Sequence, residues 1–111
     1  MKTKCLLLLT LICLGISLGV QSDTASQLET LCEKGDPGDM YCVGYTNGVL
    51  AGYMLASPSN QRVTCVPDGA VTRDQIRRIA MKYIELNPDL LAKDAGVAII
   101  GAMAKAFPCK H

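Results

Sequence analysis

Six cysteines and a single histidine are the residues of this 111-residue chain with the most obvious chemistry. Zinc binding would need ligands in close register. No two of Cys32, Cys42, Cys65 and Cys109 form a C-x-x-C pair, and the histidine, His111, is the last residue. Nucleophilic catalysis would need a base beside a nucleophile. A histidine at the chain end is a poor base, and no serine, threonine or cysteine stands in a recognisable catalytic motif. Asp36 and Asp39 could form a carboxylate pair for acid-base work, but their setting reads better as a turn and a helix cap. Gly44, Gly48 and Gly52 recur every four residues, which suits a helix face and not a phosphate-cradling loop. The chain therefore reads as a non-enzyme without metal or cofactor. Its cysteines are left with one chemistry, the disulfide.

Disulfides require an oxidising compartment, and the N-terminus supplies a route to one. MKTKCLLLLTLICLGISLGVQS has a positive start at Lys2 and Lys4, an apolar run from Cys5 to Ile16, and small residues fitting cleavage near 19 or 22. The run is short of the roughly 20 apolar residues that span a bilayer. Lipidation at Cys13 is disfavoured by the bulk of Thr10-Leu11-Ile12 before it. We therefore expect a cleaved secretory leader over 1–22 and one small domain over 23–111, located in the periplasm. Losing Cys5 and Cys13 leaves four cysteines, enough for two disulfides in a domain whose core alone gives a modest stability margin. Losing Lys2 and Lys4 from eleven basic residues leaves nine against ten acidic ones, a net charge of −1 without a basic stripe. Nucleic acid is not an expected partner.

The elements that must position the cysteines read as helices throughout. Thr72 with Gln75 forms a capping-box pattern, and Ile76, Ile79, Ala80, Tyr83 and Ile84 follow at helical spacing. Asn87-Pro88-Asp89 reads as the start of a further helix running to about Phe107, apolar on more than one face and hence central, with Gly96 and Gly101 inside it. YCVGYTNGVLAGYML, residues 41–55, reads as helix from the start signal Gly38-Asp39 to the stop at Ser57-Pro58. A membrane span is excluded there by length and by Thr46 and Asn47 near its middle. Its glycine stripe suggests close helix packing or a dimer face comprising Gly44, Tyr45, Gly48 and Gly52. Tyr41, Tyr45, Val49 and Tyr53 mark a second face. A shorter helix over about Thr24 to Glu33 comes first. The order implies an all-α bundle of about four helices, as two hairpins joined by the long loop SPSNQRVTCVPDGA. In such hairpins Cys32 and Cys42 share one end, as do Cys65 and Cys109, which favours those two disulfides. Cys42 with Cys65 and Cys32 with Cys109 is the alternative.

Four motifs add a family to this reading: C-V-G-Y-T-N-G from Cys42, C-V-P-D-G-A-V-T-R-D-Q from Cys65, K-Y-I-E-L-N-P from Lys82 and A-F-P-C from Ala106. In this order they resemble the Rap/Tai family of type VI secretion immunity proteins, over nearly the whole expected mature chain, from Cys32 to Cys109. The resemblance implies a helical periplasmic protein, often a homodimer, that binds an injected effector. In members of known role the effector is a peptidoglycan-cleaving amidase whose active site is occluded. The shared residues look architectural, so no toxin-contacting residue carries over. On this reading the exposed part of the central loop, Ser57 to Val63, is the expected contact surface, with Ser59, Asn60, Gln61 and Arg62 as adaptable polar groups. Two other roles fit a small exported helical chain: an acid-stress chaperone, which would lack an internal histidine switch, and a structural accessory subunit.

Overall fold

Threonine followed three residues later by glutamine starts two of the four helices. The Thr24 hydroxyl accepts from the Gln27 amide at 3.2 Å while the Gln27 side chain accepts from the Thr24 amide at 2.8 Å, and Thr72 and Gln75 repeat the arrangement at 3.1 and 2.7 Å. Each reciprocal cap satisfies two backbone donors that a helix start otherwise leaves open, and losing the threonine costs about 1 kcal/mol. The computed structural model describes residues 23–36 and 38–110; the expected leader over 1–22 with Cys5 and Cys13, Pro37 and His111 lie outside the described residues. The described helices are α1 (Ala25–Cys32), α2 (Gly38–Ala56), α3 (Arg73–Leu86) and α4 (Ala95–Ala106), with short 3-10 turns at Ser59–Gln61 and Pro88–Leu90. Among the described residues there is no strand, only two isolated bridges, Thr24 with Asp94 and Thr64 with Pro108. The fold is all-α.

The last helix starts later than its sequence suggests. Asn87 does not cap a new helix; its side-chain amide donates back to the Tyr83 carbonyl at 2.7 Å. One 3-10 turn follows, and the carbonyls of Leu91 and Lys93 then turn away to accept from Ser26 and Ala25 at 3.0 and 2.9 Å. These are first-turn amides of α1, which have no partner inside their own helix. The true cap is Asp94, whose carboxylate accepts from the Gly96 and Val97 amides at 2.8 and 3.3 Å. The interruption before α4 thus finishes the start of α1, and Ala95 completes the junction by donating to the Asp23 carbonyl at 2.8 Å.

The core sits around α4, which buries Ala95, Ala98, Ile99, Ala102 and Met103. Leu28 of α1, Cys42 and Leu50 of α2, and Ile76, Ala80 and Ile84 of α3 close over it. α1 packs on α2, α3 packs on α4, and α2 lies against both members of the second pair. The two disulfides join Cys32 to Cys42 and Cys65 to Cys109, with Cα atoms 5.5 and 4.9 Å apart. Each closes one hairpin at a single end. The glycines of α4 face side chains and not a neighbouring backbone. A Cβ on Gly101 would meet the Tyr83 ring at 3.7 Å, and one on Gly96 would lie 3.0 Å from the Asp94 carboxylate.

Candidate functional site

α2 carries two of the surfaces that the sequence singled out, and they part company. Its inner side is built from buried Cys42, Thr46 and Leu50, with Tyr45 and Val49 packed against the core. Thr46 is fully buried, yet its hydroxyl donates to the Cys42 carbonyl at 2.8 Å, so the polar group carries little penalty. The Asn47 side chain donates to the Val43 carbonyl at 2.7 Å and crosses to the Arg73 carbonyl at 3.0 Å, tying α2 to the start of α3. No described helix is long and apolar enough to cross a membrane. Gly44, Gly48 and Gly52 lie on the opposite side, exposed, with nothing within 4 Å of where a Cβ would stand. Met40 and Leu55, 76 % and 89 % exposed, extend the same stripe at its two ends. Within the described chain the glycines therefore admit no neighbouring helix, and Tyr45, grouped with them by sequence, belongs to the other side.

The central loop is strapped down along its length. Tyr53 at the end of α2 accepts from the Val63 amide at 2.8 Å; Arg62 donates from Nε to the Ser57 carbonyl at 3.0 Å and from Nη2 to the Met54 carbonyl. Beyond them Thr64 is fully buried and its hydroxyl donates to the Phe107 carbonyl at 3.2 Å, which also accepts from the Cys65 amide at 2.8 Å. Gly69, with φ of 69°, makes the tight turn after Pro67 that only glycine adopts without strain. Ser59, Asn60 and Gln61 are left exposed on a single 3-10 turn. The structure thus gathers three of the four predicted contact residues on one exposed tip and uses Arg62 to hold that tip in place.

Tyr41 points outward from the first turns of α2. Its hydroxyl donates to Asp23 at 3.3 Å and its ring lies 5.8 Å from that of Tyr45. Desolvation, then the charge and hydrogen bond of Asp23, raise its phenol above the usual range. Among the described residues no cluster of His, Cys, Asp or Glu could hold a metal ion.

Sequence reading did not find a trough on the outer side of α3 and α4. It runs between Ile79, Tyr83 and Leu86 of α3 and Ala102 and Ala106 of α4. A ridge of large side chains facing two alanines leaves an open channel. Helical periodicity signals that both stripes exist, but it does not say which stripe of one helix meets which of the other.

Curated proteins and solved structures give no significant match to the chain. A family model, that of the Rap1a immunity proteins, matches residues 24–109. The match begins at the capping threonine of α1 and ends at the cysteine that closes the second hairpin, so it covers the whole disulfide-bonded bundle. The chain belongs to the Rap1a immunity protein family, whose members bind an effector protein and catalyse nothing.

Proposed function

We propose that this protein is a periplasmic immunity protein that binds an effector delivered by type VI secretion, a peptidoglycan amidase, and blocks its active site sterically. The observation that carries the reading is the family match over residues 24–109. Support for the compartment comes from the leader-like N-terminus and from two disulfides, which persist in an oxidising space. The tip at Ser59, Asn60 and Gln61 suits contact, because its polar groups are exposed while the loop beneath is held by Arg62, Tyr53 and Thr64. A loop held in shape before binding loses less entropy on docking than a free one. The reading also includes a homodimer across the bare α2 face, where Gly44, Gly48 and Gly52 leave room for a second backbone.

The test is protection. Cells that export a candidate amidase effector into the periplasm should lyse without the protein and survive with it, and the purified pair should form a stable complex without peptidoglycan cleavage. Survival should depend on the leader. Lysis despite periplasmic accumulation of the protein would overturn the proposal, whereas binding of unrelated denatured proteins only at low pH would favour a chaperone.

A further inference from the structure

The trough between α3 and α4 differs in charge from the rest of the molecule. Its floor is Ile79, Tyr83, Ala102 and Ala106, and Leu86, 67 % exposed, forms one end. Every charged residue on its walls is a cation: Arg78 and Lys82 along α3, and Lys105 in the last turn of α4. Beyond Ile79 the channel continues past Phe107 to Val71, again with no acidic lining residue. Of the grooves elsewhere, that lined by Glu29, Glu33, Glu85 and Arg77 is net negative, that lined by Asp39 and Arg73 is balanced, and that lined by Asp23 has no cation.

The positive sign survives a count of the nearby carboxylates. Asp74 pairs with Arg78 at 2.7 Å but also with Arg77 at 2.7 Å, a residue of the neighbouring groove, so it offsets the Arg78 charge only in part. Lys82 faces Glu85 at 3.6 Å, a loose pair with both side chains well exposed. Lys105 makes no ion pair among the described residues. An apolar channel with a net positive border therefore lies on a mature chain of net charge −1. From Gln75 to Leu86 the channel follows about 17 Å of helix, at a rise of about 1.5 Å per residue. That length admits roughly three turns of a docked helix, the usual footprint of an amphipathic helix laid in a groove.

We infer that this trough is the docking site for an acidic amphipathic helical segment of the effector. Its apolar stripe fills the Ile79–Tyr83–Ala102 floor and its carboxylates meet Arg78, Lys82 and Lys105. The identity of the partner rests on the immunity function proposed above; the chemistry of the segment rests on the charge and shape of the trough. The cations raise encounter rates and select against basic partners, and the apolar floor holds the segment once docked.

The site can be tested without the effector. Stapled helical peptides of about fourteen residues would share a leucine stripe at i, i+3, i+4 and i+7, with the flanking positions all Glu, all Gln or all Lys. We expect the Glu peptide to bind the exported protein, to shift NMR signals of Tyr83, Leu86 and Ala102, and to lose affinity as salt rises. The Lys peptide should bind at least about tenfold more weakly. The exposed double variant Lys82→Glu/Lys105→Glu should reverse the preference, and Ala106→Trp should block all three peptides. Equal binding of the Glu and Lys peptides, or binding elsewhere on the surface, would overturn the inference. So would dodecanoate or phosphatidylglycerol vesicles occupying the trough in preference to the peptides, or a second copy of the chain filling it in sedimentation experiments. Protection assays separate the two levels. A wild-type protein that fails to protect removes the immunity function while the titrations still decide the trough. Groove variants that protect as well as wild type remove the trough and leave the function.

Discussion

Asp74 shows how much one exposed carboxylate can organise. It stands in the first turn of α3, where a negative charge opposes the helix dipole favourably, and it holds two guanidiniums at 2.7 Å. The hydrogen bond from Arg77, and then the charges of Arg77 and Arg78, keep its carboxyl below the usual value of 3.8 despite some opposing desolvation. A lowered folded-state pKa means that ionised Asp74 stabilises the fold above the unfolded value and ceases to do so as pH falls through the folded one. Asp74→Asn should therefore be modestly less stable than wild type at about pH 7, with the difference vanishing in acid below the carboxylate range. Urea midpoints at the two pH values check this, and a gap that widens in acid would contradict it. The same substitution leaves Arg77 and Arg78 without their shared partner, so it should also strengthen binding of acidic peptides to the trough.

At the scale of elements, what could be read from sequence depended on whether the signal was local. Thr72 with Gln75 marked α3 because a capping box lies within four residues, and the cysteines paired as hairpin ends dictate. Pro88-Asp89 misled because it does begin a helical turn; only the demand of α1 for the carbonyls of Leu91 and Lys93, distant in sequence, moves the real start to Ala95. Asp94 before an apolar run was a usable cap signal that the stronger-looking proline outweighed. The trough was illegible for the same reason, since it exists only where Ala102 and Ala106 meet Ile79 and Tyr83. The disulfides carry a quantitative expectation. Bridging 44 residues restricts the unfolded chain more than bridging 10, so loop entropy assigns at most about 4 kcal/mol to Cys65–Cys109 and about 3 to Cys32–Cys42. The paired alanine variants, unfolded in urea, should rank in that order. Gly48→Leu probes α2: with nothing within 4 Å it should improve helix propensity by up to about 1 kcal/mol in the isolated subunit, yet split the proposed homodimer. Sedimentation mass and melting temperature report the two effects separately, and a wild-type protein already monomeric would remove the dimer.

On the scale of the whole molecule, both described ends of the chain are bound into the bundle. The Asp23 carbonyl accepts from Ala95 and Thr24 caps α1, while Pro108 bridges to Thr64 and Cys109 is bonded to Cys65. Cleavage of the proposed leader near 19 or 22 would leave all of these contacts intact, and we expect intact-mass measurement of the exported protein to place its first residue no later than Asp23. A product trimmed beyond Thr24 would lack the cap of α1 and should melt earlier. The cross-links give this arrangement a direction in time. On the proposed periplasmic reading, the newly made chain inside the cell, where thiols stay reduced, would lack both bonds and the several kcal/mol they supply, and would be loose enough to thread through an export channel. Across the membrane, oxidation would then close the two hairpins. A cell of this design would be armed only after export, and a toxin met on the cytoplasmic side would find its antidote still unmade.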